Sequence, residues 1–196
     1  MIALIQVFSS HQSSLTQQPL GYVSNWGGME VGSGMLFPVS VVDGLVHQLG
    51  GIKLKLQCKL ISSIRGCPTG TAVSTSHADE ALQKHYDYII HTAPPFYDHD
   101  ENPIDMLKRC YAASFDLAFQ KSNVTKVACP LIGAGARGFP TEESIDIAAS
   151  ESLKWIKEEK EDGITIASKK KQCIMFGIPD VKTAEKMVEA IERSSF

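Results

Sequence analysis

The sequence has little net charge of either sign and no long hydrophobic run. It carries 19 Lys and Arg against 22 Asp and Glu, which gives a net charge of −3. A general nucleic-acid-binding protein needs a basic face, so we expect no such activity. No stretch approaches the roughly 20 apolar residues of a membrane span, and the start, MIALIQVFSS, lacks the basic region of a signal peptide. These absences predict an intracellular protein, cytoplasmic or nuclear, that does not act at a membrane.

Patterns that would indicate a disulfide framework or a metal site are also missing. The five cysteines are odd in number, widely spaced and contain no C-x-x-C pair. His77, His85, His91 and His99 are separated by 8, 6 and 8 residues, which matches no compact ligand motif. There is neither the G-x-S-x-G of serine hydrolases nor a P-loop lysine. We therefore predict no metal and no cofactor, and we expect His91 to be a hydrogen-bonded core residue.

Short apolar runs alternate with amphipathic helical patterns, which is typical of an α/β layered fold. The length of 196 residues suits one domain over residues 1–196, in which residues 1–40 are an atypical, glycine-containing segment. Several of the apolar runs are almost continuous, as in strands that are covered on both faces. The predicted strands are residues 3–8, 22–25, 71–75, 86–92, 126–132 and 172–178.

Three amphipathic helices can be placed from their start signals and apolar stripes. Asn102 is expected to cap a helix with Pro103 at its first position. A second helix follows Pro140 and has two glutamates in its first turn, where the helix dipole favours them. A third begins near Asp180. Their spacing between the predicted strands supports the α/β assignment.

The strongest local signal for function is the segment PLIGAGARGFPTEES, in which a strand runs into glycines and then a helix. Glycines at positions 133, 135 and 138 let the backbone bend tightly and approach a ligand without interference from a Cβ. The amide groups of such a loop, with the following helix N-terminus, suit a phosphate or diphosphate. Phe139 is expected to stack on a ribose or close the loop over it.

Two further segments are expected to contribute to the same crevice. The run TAPP, residues 92–95, ends a strand abruptly where the carboxyl edge of a sheet presents ligands. In the segment SVVDGLVHQLGG, Ser40 and Asp43 have the spacing of a helix capping box, which is a complete structural reason for Asp43. The functional alternative is that Asp43 faces the crevice and contacts a ribose or positions a water molecule.

Together these segments resemble the macro domain family over about three quarters of the chain. VVDGLVHQLGG is similar to the family's ligand-loop helix, GCPTGTAVST with YDYIIHTAPPFY to its central strands, and VACPLIGAGARGFP to its diphosphate loop. The resemblance implies a three-layer α/β/α fold with a mixed central sheet. It also implies that ADP-ribose or a mono-ADP-ribosylated protein is the partner. The ligand contacts it implies are Val42, Asp43, Pro95, Ile132, Gly133, Ala134, Gly135, Ala136, Arg137, Gly138 and Phe139.

Some members of the family also hydrolyse ADP-ribosyl linkages, and this chain departs from the family near that function. The first strand ends in Phe8-Ser9-Ser10 without the usual acid, Asn25 stands alone where an asparagine-rich motif is expected, and Pro38-Val39-Ser40-Val41 replaces a glycine triplet. The main prediction is therefore an ADP-ribose binder. The alternative is an ADP-ribosyl hydrolase in which Asn25 and Asp43 position water. A minor alternative is a Rossmann NAD(P)-binding protein, although a dinucleotide fingerprint normally opens the fold.

Overall fold

The structure, a computed structural model, describes residues 4–9, 21–25, 42–76, 78–120, 124–161 and 172–195. Within these ranges the chain forms one six-stranded sheet of order β1-β6-β5-β2-β4-β3. Strand β3 runs antiparallel to β4 and the other neighbours are parallel. The strands are β1 Leu4–Ser9, β2 Gly21–Asn25, β3 Ala72–Thr75, β4 Tyr88–Thr92, β5 Lys126–Pro130 and β6 Cys173–Ile178.

All six predicted strands are confirmed, with ends that differ by at most two residues from the predicted ones. The mixed character of the sheet comes from β3, which pairs Ala72 with Thr92 and Thr75 with Ile89 in the antiparallel sense. The parallel strands place their carboxyl ends along one edge of the sheet. That edge is where α/β proteins bind ligands.

Five helices connect the described strands, and three of them begin where the sequence predicts. Asn102 occupies the cap position before α3 in a left-handed conformation (φ 52°), but its side chain makes no capping hydrogen bond. The other two predicted helices begin after Pro140 and Asp180. The helices are α1 Val42–Ile64, α2 Glu80–Gln83, α3 Pro103–Phe119, α4 Thr141–Glu161 and α5 Val181–Ser195.

Helix α1 is longer than the predicted ligand-loop helix and is broken in its interior. Gly51 has φ 59° and ψ −151°, so the element is two helical segments joined at a kink. Asp79 holds the kink from the other side, because its amide donates to the Gly50 carbonyl (2.8 Å) and its carboxylate accepts from the Ile52 amide (3.2 Å). The second helical segment, from Gly51 to Ile64, was not predicted from the sequence.

Both faces of the sheet are covered, which confirms the three-layer α/β/α prediction. Ile89 and Ile90 are neighbours on β4 and point to opposite faces, as successive strand residues do. Ile90 belongs to the larger core, which α3, α4 and α5 form with β5 and β6. Ile89 belongs to a smaller core with Leu54 and Cys58 of α1 and Leu82 of α2.

No helix among the described residues combines the length and hydrophobicity needed to cross a bilayer. The predicted capping box depends on Ser40, which lies outside the described residues. The same holds for the chain between residues 26 and 41. These parts of the sequence reading therefore stay predictions.

Candidate functional site

The carboxyl ends of three neighbouring strands bring the predicted segments together. Strand β2 lies between β5 and β4 in the sheet. Its last residue, Asn25, is in register with Thr92 at the end of β4. On its other side, Tyr22 pairs with Ala128 of β5, and the glycine loop begins just after β5 ends. The TAPP segment, Asn25 and the glycine loop thus follow one another along one edge.

The glycine loop is a compact turn fixed at both ends by glycine-specific backbone conformations. Gly133 has φ 89° and Gly138 has φ 78°, a region that L side chains rarely adopt. Two hydrogen bonds close the turn: the Gly138 amide donates to the Gly135 carbonyl (3.0 Å) and the Phe139 amide to the Gly133 carbonyl (3.3 Å). Gly135 lies outside the positive-φ region, and a Cβ built on it meets nothing within 4 Å.

The crest of this loop, residues 134–136, lies at the surface of the described part of the chain. Gly135 and Ala136 are exposed and Ala134 is half-buried. Within the described part of the chain, the amides of these three residues make no hydrogen bond. Successive unpaired amides at a turn form a concave site for an anion, and the N-terminus of α4 follows directly. The loop is therefore built to accept a phosphate-like group.

Buried side chains support the loop from beneath. The Ile132 amide donates to the hydroxyl of Tyr111 (2.8 Å), and Tyr111 is fully buried in α3. Phe139 is 3% exposed, and its ring lies 5.0 Å from that of Tyr97. Phe139 therefore lies at the base of the loop, where its packing fixes the turn. The predicted stacking of its ring on a ribose stays a prediction.

The charged groups at the loop are one buried arginine and two glutamates that have partners. Arg137 is 6% exposed, and its guanidinium carbon lies 4.2 Å from the centre of the Phe96 ring. Two glutamates occupy the first turn of α4. Glu142 pairs with Lys186, which holds the pKa of that carboxyl below its usual range. Glu143 accepts a hydrogen bond from Tyr97, which raises the pKa of Tyr97.

The remaining predicted site residues lie in the loop after β4 and at the start of α1. Pro95, in the loop after β4, is buried, whereas Val42, the first residue of α1, is exposed. Asp43 is the second residue of α1, and α1 packs on β2, the strand that ends at Asn25. The contact between α1 and β2 is compatible with the predicted proximity of Asn25 and Asp43, which stays a prediction. The orientation of their side chains lies outside what the structure describes.

A cluster that the sequence reading did not predict lies under α1. His47, Cys58 and His91 place one potential ligand atom each within 4.8 Å of one another. His91 is fully buried and its Nε2 lies 2.9 Å from the Thr75 hydroxyl, so the prediction of a hydrogen-bonded core histidine is confirmed. Burial lowers the pKa of His91 to about 3, with a further contribution from His47. Burial also lowers the pKa of His47.

Comparisons with known proteins agree with this architecture. The family model described as Macro domain matches residues 35–148. A macro domain-containing protein of Listeria monocytogenes is 32% identical over 151 residues, or 76% of this chain and 81% of that protein. The O-acetyl-ADP-ribose deacetylase 1 of Pantoea vagans is 36% identical over 111 residues, or 55% of this chain and 61% of that protein.

The fold is similar to that of a solved structure, the Trypanosoma brucei macrodomain in complex with ADP-ribose. The TM-score is 0.66 at 22% identity, and the alignment covers 98% of this chain and 69% of that one. The sheet order, the loop after β5 and the family match over residues 35–148 point the same way. The chain belongs to the macro domain family.

Proposed function

We propose that this macro domain binds ADP-ribose, free or attached to a protein, with the diphosphate on the crest of the glycine loop. The observation that carries the proposal is the set of amides at residues 134–136, which belong to exposed or half-buried residues and have no hydrogen-bond partner among the described residues. A diphosphate offers several acceptor oxygens and negative charge, which such a loop and a helix N-terminus both favour.

The charges around the loop support an anionic ligand. Arg137 contributes a buried positive charge within the loop itself. The acids of the first turn of α4 are engaged by Lys186 and Tyr97, which reduces their repulsion of a phosphate. The relative from Trypanosoma brucei was solved with ADP-ribose, and the family match includes the whole glycine loop.

Binding is tested by calorimetric titration with ADP-ribose and with adenosine, which lacks the phosphates. We expect ADP-ribose to bind with about micromolar affinity, or about −8 kcal/mol, and adenosine to bind much more weakly. The affinity is modest because the first strand lacks the acid that the family uses for adenine. The absence of both binding heat and a thermal shift at millimolar ADP-ribose would contradict the proposal.

The variant Gly135→Glu tests whether the loop is the binding site. Because Gly135 has open space and lacks a positive φ, the variant should keep its circular dichroism and cooperative melting. A carboxylate beside the diphosphate repels it by about 1–4 kcal/mol, so we expect at least about a tenfold loss of affinity.

The matched control is Gln120→Glu, which adds the same charge at the exposed C-terminal cap of α3, away from the loop. It should bind ADP-ribose like the unmodified protein. A folded Gly135→Glu protein with unchanged affinity would place the ligand elsewhere.

A second candidate function is hydrolysis of an ADP-ribosyl linkage. It is favoured by the packing of α1, which begins at Val42, on β2, which ends at Asn25, and by the deacetylase named among the relatives. We expect turnover to be slow or absent, because the glycine triplet before Asp43 is replaced. The measurement is release of ADP-ribose from a modified carboxylate or serine. Rapid release that is lost in folded Asp43→Ala would favour the hydrolase over the binder.

A further inference from the structure

We propose that His47, Cys58 and His91 form a binding site for a zinc ion, separate from the glycine loop. The three side chains offer two imidazole nitrogens and one sulfur, and the ligand atoms all lie within 4.8 Å of one another. Imidazole and thiolate are the ligands that zinc prefers in proteins. The inference goes beyond ADP-ribose binding and does not depend on it.

The cluster depends on the break in α1, since two of its members lie eleven positions apart on that element. In a straight helix, eleven residues would separate His47 and Cys58 by roughly 16 Å. The kink at Gly51 redirects the second segment, so that Cys58 packs toward the sheet near the first segment. His91 then joins from β4, thirty-three positions further along the chain than Cys58. This arrangement explains why residue spacing gives no metal motif.

The distances are close to those of a tetrahedral zinc site. Zn–N bonds of about 2.0–2.1 Å and Zn–S bonds of about 2.3 Å place neighbouring ligand atoms roughly 3.3–3.6 Å apart. Cys58 Sγ and His91 Nε2 are 4.0 Å apart, so they need to approach by only about half an ångström. Cys58 and His91 are fully buried, which shields the sulfur from bulk water.

The chemistry of the group also fits a cation. The cluster consists of two imidazoles and a thiol and contains no carboxylate. A neutral imidazole carries a lone pair on its unprotonated nitrogen, which is the atom that binds a metal. Cys58 binds as the thiolate, and its proton is released to solvent. Zinc bound to His91 Nε2 would replace the hydrogen bond of that atom to the Thr75 hydroxyl, 2.9 Å away, and that hydroxyl or a water molecule would be the fourth ligand.

The test uses the full chain, stripped of metal with EDTA and then titrated with Zn²⁺ against a chromophoric chelator. We expect one equivalent to bind and to raise the melting temperature, because binding only the folded state stabilises it. Co²⁺ as a spectroscopic probe should give a thiolate-to-cobalt charge-transfer band and the visible bands of a tetrahedral ion. Cys58→Ser and His91→Gln should each lower the Zn²⁺ affinity by at least roughly tenfold.

The control variants are Cys129→Ser, a buried cysteine on the opposite side of the sheet, and His85→Gln, an exposed histidine. Both should bind Zn²⁺ like the unmodified chain. The Co²⁺ spectrum is recorded on the unmodified chain and so does not depend on whether the variants fold. A Co²⁺ complex without the thiolate band would overturn the proposal. Unchanged Zn²⁺ affinity in folded Cys58→Ser would overturn it as well. ADP-ribose binding is measured in a separate titration, so the zinc proposal and the ADP-ribose proposal can each fail without affecting the test of the other.

Discussion

At the scale of single residues, the glycine loop contains glycines that serve two different purposes, one in the fold and one in the approach of a ligand. Gly133 is required by the fold: its φ is 89°, and a Cβ there would lie 3.1 Å from Phe139 Cδ2 and 3.2 Å from Leu107 Cδ2. Gly135 has neither restriction, so no contact among the described residues explains the absence of a side chain there. A glycine that the fold does not need, on the crest of an anion-binding turn, is what close approach of a ligand would require.

Alanine variants at the two positions should therefore separate stability from binding. Gly133→Ala should lower the free energy of unfolding by about 1–2 kcal/mol through left-handed strain, with further loss from crowding against Phe139. That corresponds to a fall of roughly 2–8 °C in melting temperature for a chain of this size. Gly135→Ala should melt within a degree or two of the unmodified protein, while its ADP-ribose affinity falls. Differential scanning calorimetry with calorimetric titration checks both. Equal destabilisation of the two variants would contradict the distinction.

At the scale of elements, α1 is held in its broken form by contacts that the helix alone does not supply. The backbone of Gly51, at φ 59° and ψ −151°, lies in a region essentially reserved for glycine. A side chain there would also overlap the carboxylate of Asp79. That carboxylate accepts the Ile52 amide, so moving it aside would give up a hydrogen bond. Asp79 thus connects the loop before α2 to both segments of α1 through its hydrogen bonds on either side of Gly51.

Replacing Gly51 should lower the free energy of unfolding more than replacing a glycine at which a side chain would meet left-handed strain alone. Gly66 is the matched control: it has φ 64° at the end of α1, and a Cβ there meets nothing within 4 Å. We expect Gly66→Ala to cost about 1 kcal/mol and Gly51→Ala at least about 1 kcal/mol more, since both strain and overlap act. Urea unfolding of the two variants measures the difference. Equal losses would mean that Asp79 moves aside without penalty.

At the scale of the whole molecule, the two hydrophobic cores on opposite faces of the sheet contain different kinds of buried groups. The larger core contains the supports of the glycine loop, Tyr111 and Phe139. The smaller core lies under α1 and surrounds a histidine that is buried in neutral form. Among the described residues, Cys58, Thr75 and His47 are polar groups near that histidine, and none of these three is an acid that would stabilise an imidazolium.

Burial of His91 should make the metal-free protein sensitive to acid. Its pKa is about 3 in the folded state, against 6.5 for an ordinary histidine, so the unfolded chain takes up the proton first. The stabilisation is complete above pH 6.5 and is lost as the pH falls toward 3. In EDTA, the free energy of unfolding should fall by up to about 1.4 kcal/mol per pH unit below 6.5 from this residue alone, and the lowered pKa of His47 acts in the same direction.

Urea unfolding at several pH values between 7 and 4 measures this slope. His91→Gln should be less stable at pH 7 and show a flatter dependence, because the group that takes up the proton is gone. His85→Gln, at an exposed position, should keep the original slope. A His91→Gln protein with an unchanged slope would assign the acid sensitivity to other groups.

The sequence by itself determines the strands, three of the helices and the position of the glycine loop, because each has a local cause. Apolar runs require burial, Pro103 and the glutamates after Pro140 mark helix starts, and glycines spaced between a strand and a helix permit a tight turn. Those local signals suffice to indicate the macro domain family and the site for a diphosphate.

Only the tertiary structure decides which side chains meet. The burial of Phe139 beneath the loop follows from packing against Tyr97, which is distant in sequence. The meeting of His47, Cys58 and His91 follows from a break that Asp79 holds from outside the helix. Contacts of this kind depend on where elements lie in space, and residue spacing along one chain does not contain that information. The fold and the loop were therefore predictable, whereas the cluster under α1 was not.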